Sequence, residues 1–207
     1  MMNSLYEFDR VFLQSSGRLI GVDEAGRGSL AGPVVIAAVI LDFTNNIEGI
    51  NDSKKLKPDN REKLFEQIIQ SAISYKIVEV DSNYIDKYNI LQATLKGMFD
   101  AVTTIAQPPD LCLIDGNKIP DNIPCYTKCI IHGDALSASI AAASILAKVH
   151  RDRLMKTLDK YFPLYGFAKH KGYGTAQHLN ALKLYGPCSI HRKTFAPIAQ
   201  MIDQTAL

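Results

Sequence analysis

The sequence predicts an α/β fold, a central sheet of about five strands flanked by helices. Three observations carry this expectation. Short apolar runs rich in β-branched residues recur, bounded by acids or turn residues. Segments with apolar residues at helical spacing lie between and after them. The strand-like runs gather in the first half of the 207 residues, and the helical segments fill the second.

Leu19 to Asp23 is a short apolar run ending in acid, and Pro33 to Leu41 is a longer one. Both read as buried strands. Pro58 to Ala72 repeats Leu64, Phe65, Ile68, Ile69 and Ala72 at helical spacing, with Pro58 and Asp59 suited to a first turn. Tyr75 to Val80 predicts a third strand. Asp81 or Ser82 caps a helical region running to about Ala106, ahead of Pro108 and Pro109. Leu111 to Ile114, finishing in Asp115, and Tyr126 to Ile131 complete the strands. Gly133 and Asp134 then open a helical segment over Ser137 to Lys148, followed by a second over His150 to Tyr161 that Pro163 stops. An irregular stretch to Gly174 carries aromatics between basic residues, Thr175 caps one more helix, and Phe195 to Ile202 forms a terminal one.

Composition narrows the function classes. With 47% hydrophobic and 21% charged residues, the chain has the make-up of an ordinary globular protein able to bury a core. Its longest charge-free apolar stretch, Ala135 to Ala147, is too short to cross a bilayer, and Glu7 and Asp9 stand where a signal peptide would be apolar. Cys112, Cys125, Cys129 and Cys188 form no CxxC pair, which predicts reduced thiols and a cytoplasmic protein. The net charge of +2 hides an asymmetry. Residues 1–147 carry 13 Lys/Arg against 18 Asp/Glu, whereas residues 148–193 carry 10 against 2 together with four of the five histidines. That distribution predicts an acidic centre beside a basic surface that grips a polyanion.

The acids fall at element boundaries: Asp23-Glu24 and Asp115 follow strands, and Asp134 opens a helix. In open α/β sheets the ligand crevice lies at strand ends, so carboxylates distant in the chain can converge there. Four of them together repel unless cations intervene, and hard divalent ions with oxygen ligands answer that need. The implied site holds Mg²⁺ or Mn²⁺, two ions spanning an in-line phosphoryl displacement. Taken singly, Asp115-Gly116-Asn117 also reads as a turn and Asp134 as a helix cap. Adjacent strand residues face opposite ways, so Asp23 and Glu24 share a site only if the chain bends there. Gly26-x-Gly28-x-x-x-Gly32 resembles a dinucleotide fingerprint, but Pro33 and a β-branched run follow where that motif needs a helix. Two glycines around Arg27 suit instead a bare backbone approaching a sugar or phosphate.

Gly21-Val22-Asp23-Glu24-Ala25-Gly26-Arg27-Gly28, Asn51-Asp52-Ser53-Lys54-Lys55-Leu56, Leu113-Ile114-Asp115-Gly116-Asn117, Gly133-Asp134, the Ala142 to Val149 segment, Arg151-Asp152 and Gly166 to Tyr173 together resemble bacterial ribonuclease HII, in order over about residues 19–197. The resemblance implies a ribonuclease H-like fold with a five-stranded mixed sheet, as a single catalytic domain over 1–207. It further implies a helical, substrate-binding C-terminal part over about 163–207. The implied activity is metal-dependent endonucleolytic cleavage 5′ to ribonucleotides in RNA/DNA hybrids and at single ribonucleotides within duplex DNA, leaving 3′-hydroxyl and 5′-phosphate ends. By position the family's metal-binding acids fall on Asp23, Glu24, Asp115 and Asp134. The Gly-Arg-Gly loop that meets the ribose 2′-OH falls on Gly26, Arg27 and Gly28, and the substrate-sensing tyrosine on Tyr173. Lys54, Lys55 and the basic C-terminal stretch would meet phosphates. The chain departs from the family pattern at Ala135-Leu136-Ser137-Ala138, and Ala199 to Leu207 shows no aromatic-rich clamp-binding peptide, which neither supports nor excludes a processivity partner; no obligate protein partner is visible, and a monomer is expected. The rival readings are a DNA-directed nuclease of the same superfamily and a catalytically silent hybrid-binding protein.

Overall fold

The computed structural model describes residues 4–13 and 17–205; residues 206–207 of the expected C-terminal part lie outside the described residues. The chain runs α1 (Ser4–Leu13), β1 (Leu19–Ala25), β2 (Val34–Ile40), α2 (Pro58–Ser71), β3 (Ser74–Val80), α3 (Ser82–Thr103), β4 (Leu111–Asp115) and β5 (Tyr126–Ile130). A 3₁₀ turn (Gly133–Ala135), α4 (Ala138–Tyr161), α5 (Phe167–His170), α6 (Ala176–Tyr185) and α7 (Ile198–Thr205) follow. Five strands pair in the order β3-β2-β1-β4-β5. β1 and β2, joined by a short loop, and β2 and β3, joined through α2, pair antiparallel, and β4 and β5 continue the sheet in parallel. The expected mixed five-stranded sheet is therefore present, with β1 at its centre.

Every residue of β2 is buried because the sheet is covered on both faces. Val35, Ala37 and Val39 pack with α1, α2 and α4, while Val34, Ile36 and Ile40 pack with α3. The period-two alternation of a strand thus serves two cores at once. On the first face α4 lies very close to β1. A Cβ added at Gly21 would stand 2.1 Å from the Ser139 main chain, and Ala141, Ala142, Ala143 and Ala147 along the same helix are wholly buried. Small residues on both sides are what let the helix axis approach the sheet. A third cluster joins the C-terminal part to the rest through Leu30, Ala31 and Met155, packed with Tyr165, Phe167, Leu182 and Ile198.

Several boundaries differ from the sequence reading. The N-terminal helix α1 was not anticipated; its buried Asp9 accepts from Ser139 N–H at 2.8 Å, adding to the Ser137 side chain that caps α4 through Ile140 N–H. β1 continues two residues past Asp23, so that residue does not end the central strand. The two helical segments read over residues 137–148 and 150–161 are one helix of 24 residues, in which Val149 and Arg151 are buried at the junction. Helix α3 ends at Thr103, ahead of the prolines, and kinks at Asn89 (φ 70°), whose side chain then caps the second half through Gln92 N–H at 3.1 Å. The terminal helix starts at Ile198, not Phe195. Among the described residues no helix is long and apolar enough to cross a membrane.

Because backbone, not a pliable side chain, faces Gly21, a Gly21→Ala variant is expected to lose about 3 kcal/mol or more of stability, at or above the usual cost of overpacking. Chemical denaturation monitored by circular dichroism checks this; a midpoint within error of wild type would contradict the close approach.

Candidate active site

Three chain-distant segments bring the four acids to one place. Asp23 and Glu24 ride the end of β1, Asp115 closes the parallel neighbour β4, and Asp134 sits in the 3₁₀ turn leading into α4. Asp115 Oδ1 accepts from Gly133 N–H at 2.7 Å, which ties the β4 end to the turn carrying Asp134. Asp23 Oδ1 accepts from Glu24 N–H at 2.7 Å. Asp23, Glu24 and Asp115 line a cleft of about 400 Å³ together with Gly26, Arg27 and Gly28. Its remaining wall includes Lys54, Lys148 and Tyr173.

Charge crowding dominates the electrostatics. Burial first, then the charges of Glu24 and Asp115, push the Asp23 carboxyl well above the usual range. Burial also raises Glu24, opposed by the Arg27 guanidinium, and raises Asp115, opposed by the Gly133 N–H. Two cationic side chains reach the cluster: Lys54 Nζ stands 3.1 Å from Asp134 Oδ2, and an Arg27 Nη stands 3.3 Å from Glu24 Oε1. Among the described residues no three His, Cys, Asp or Glu side chains form a closed metal cage. The acids instead surround an open cleft, and their all-oxygen donor set and unbalanced negative charge fit a hard divalent cation.

Of the expected substrate contacts, Arg27 and Lys54 face the cleft. Lys55 does not line it; its exposed ammonium lies 3.9 Å from Asp52. Gly26 has φ +93°, and a Cβ there would meet Arg151 Nε at 1.9 Å, whereas a Cβ at Gly28 would meet nothing within 4 Å, leaving that backbone open to a ligand. Tyr173, partly exposed and also lining the cleft, has its ring 5.6 Å from the Arg151 guanidinium. Leu30 N–H donates to Gly172 O at 2.8 Å, so the two loops are directly bonded.

Sequence reasoning missed the residues beneath this wall. Arg151 and Arg192 are fully buried, and burial lowers both, Arg192 to about 9 with help from the charge of Arg151. Behind Tyr173, His178 and His191 are also buried, with their Nε2 atoms 3.0 Å apart and His170 stacked on His178 at 4.5 Å. The only signal was the cluster of histidines and arginines in the basic stretch, read there as surface.

Carboxylates gathered at the ends of adjacent strands, beside a cleft with cationic walls, make up the site of a metal-dependent nuclease. Residues 20–198 match the family model described as Ribonuclease HII. Ribonuclease HII of Xylella fastidiosa (strain M23) is 48% identical over 207 residues, all of this chain and 88% of that protein. Ribonuclease HII 1 of Methylibium petroleiphilum is 54% identical over 186 residues, 90% of this chain and 93% of that one. The chain belongs to the ribonuclease HII family. The ribonuclease H2 of Pyrococcus horikoshii OT3 superimposes with TM-score 0.76 at 28% identity, covering 91% of this chain and 99% of that one. Bst-RNase HIII in complex with Mn²⁺ shares the fold (TM-score 0.69, 19% identity, 90% and 70% coverage).

The buried imidazoles give a pH signature. Burial, then the neighbouring His178, holds His191 near 4, and burial lowers His178 as well; His170, Tyr165 and the Cys188 thiol are the other titratable groups against them. In the unfolded chain these imidazoles take a proton near 6.5, so their stabilisation is complete above that pH and is lost as pH falls toward 4. The raised carboxyls act with the opposite sign, so the comparison is with a His191→Gln variant. Between pH 7.5 and 5 wild type is expected to lose about 2 kcal/mol relative to the variant in denaturant titrations. An equal pH dependence of the two proteins would refute a neutral buried His191.

Proposed function

We propose that this chain hydrolyses the phosphodiester 5′ to ribonucleotides in RNA/DNA hybrids and at single ribonucleotides embedded in duplex DNA, leaving 3′-hydroxyl and 5′-phosphate ends. The observation that supports this reading is the gathering of Asp23, Glu24 and Asp115 in one cleft with the Gly-Arg-Gly loop and Tyr173, with the Asp134 charge near enough to act on Asp23. Asp23, Glu24, Asp115 and Asp134 would hold Mg²⁺ or Mn²⁺, two ions in the active complex, with Asp23 the most buried of the four. When bound, such ions neutralise the acids and supply an activated water for in-line attack.

The chain's own residues position the substrate. The main chain of Gly26 to Gly28 and the hydroxyl of Tyr173 approach the ribose from two sides, and the 2′-OH is the group that separates RNA from DNA there. Arg27, Lys54 and Lys148 face the cleft with cationic groups suited to flanking phosphates, and Lys55 serves the same backbone further out. The C-terminal part would supply the substrate-binding wall through Tyr173, and all of these groups come from one chain, so a monomer suffices for the chemistry.

An end-labelled DNA duplex with one ribonucleotide, incubated with and without Mg²⁺ or Mn²⁺ beside an all-DNA control, tests the reading. Metal-dependent incision 5′ to the ribonucleotide with the control intact is expected. Cutting of the control points to a DNA-directed nuclease, and tight binding without incision to a silent hybrid-binding protein. Asp23→Asn is expected to lower turnover by more than about 100-fold, beyond the loss seen when only a supporting residue is removed, with duplex affinity largely kept. Tyr173→Ala is expected to slow incision about tenfold or more, the equivalent of one lost hydrogen bond of ~1.4 kcal/mol, with general duplex affinity little changed; unchanged incision would remove Tyr173 from the site.

A further inference from the structure

Arg151 and Arg192 are the two largest wholly buried side chains, and every hydrogen bond from either guanidinium goes to a main-chain carbonyl or to Ser29 Oγ. A buried cation without a carboxylate partner is costly unless its surroundings are fixed to receive it. Here all the receiving atoms except Lys171 O belong to the loop between β1 and β2. Arg192 donates to Gly26 O and to Arg27 O, each at 2.7 Å, and twice to Gly32 O, at 3.0 and 3.1 Å. The planar fork of the guanidinium dictates where these carbonyls stand. A trans peptide is rigid, with its C=O and following N–H pointing in opposite directions. Drawing the Gly26 and Arg27 carbonyls inward therefore turns the N–H groups of Arg27 and Gly28 outward, away from Arg192.

The residue beside it reaches the other sensor. The segment is laid against the same loop by Arg192 N–H to Leu30 O and Gly32 N–H to Ile190 O, both 2.9 Å, with His191 bridged to Ala31. His191 Nδ1 accepts from Cys188 N–H at 2.9 Å, with the Cys188 thiol 3.1 Å from the same atom. Its proton therefore sits on Nε2, 3.0 Å from His178 Nε2. His178 must accept there and carry its own proton on Nδ1, which donates to Tyr173 O at 3.0 Å. Each tautomer forces the next, and the chain ends on the main chain of the tyrosine.

We propose that His191-Arg192 is a positioning clasp for ribose discrimination. Arg192 orients the Gly-Arg-Gly N–H groups, and His191, through His178, fixes Tyr173 opposite them, so the gap between the two is set for one sugar bearing a 2′-OH. Neither residue touches substrate. The clasp rests on the reading of that loop and Tyr173 as ribose sensors.

The test uses the full-length chain with incision of the single-ribonucleotide duplex, and the all-DNA duplex as competitive inhibitor. The ratio of the inhibitor's Ki to the substrate's KM reports discrimination; a merely structural role would lower the active fraction, and so kcat, and leave this ratio alone. Arg192→Lys keeps the charge but loses the fork, and His191→Asn accepts from Cys188 but cannot reach His178. Each is expected to lower kcat/KM by roughly 10- to 100-fold and to bring the ratio toward one. His191→Gln, whose amide N–H stands near the imidazole Nε2, is expected to restore the ratio. Wild-type ratios in folded Arg192→Lys and His191→Asn would overturn the clasp alone, and should Arg192→Lys fail to fold, the His191 pair decides it. A wild-type chain that does not distinguish the two duplexes would overturn the ribose-sensor reading and the clasp with it.

Discussion

The candidate site depends on one steric constraint, the approach of α4 to a bare glycine in the central strand. With hydrogen at Gly21, the Ser139 main chain sits where any Cβ would be. That contact fixes the start of α4, and with it the turn bearing Asp134, relative to the β1 end bearing Asp23 and Glu24. Some 12 residues beyond Ser139, about 18 Å along the helix axis, the same rigid element delivers Arg151 beneath the β1–β2 loop. Lys148 projects into the cleft between these points. One helix thus sets the spacing between the acid cluster and the proposed sugar-sensing wall.

Charge explains why that spacing is held so firmly. Asp23 is buried among other carboxylates, and Arg151 and Arg192 are buried with carbonyls for company. Neither set is at ease alone: the acids favour an added cation, and the arginines require oriented dipoles. Lys54 and Arg27 offset part of the negative charge on side chains whose outer ends are solvated, so they can yield to a ligand. The arginines cannot yield, since their partners are the chain itself. Adaptable counter-charge lies on the cleft side, and fixed charge lies behind the loop.

This division also decides what was legible in the sequence. The strands and their terminal acids were readable because β-branched runs ending in Asp are local patterns with a local physical cause. Asp115 and Asp134 could be assigned a common site because strand ends in α/β sheets converge. No comparable local cue exists for Asp9, which caps a helix 130 residues away, or for Arg192, bonded to carbonyls more than 160 residues earlier. Hydropathy places Arg and His outside, and only the folded path of the chain reveals the carbonyls that make burial tolerable. Likewise, where two helical segments are read as meeting at Val149, no local cue shows that the backbone continues unbroken past it. Asn89 kinks α3 through a side-chain cap that composition alone does not distinguish from an ordinary polar helix position.

The C-terminal part is best understood through what it shares. Its core includes Leu30 and Ala31 from the β1–β2 loop and Met155 from α4, so its apolar surface is completed only by the sheet-bearing part. Helices as short as α5 and α6 are marginal without such packing. A wall that cannot fold without the loop it faces cannot drift relative to it, and a gap meant to measure one hydroxyl demands that rigidity. The acids need only tolerate a phosphate that the wall has already placed, so under this reading hydrolysis belongs to the sheet and selectivity to the joint between the sheet and its C-terminal partner.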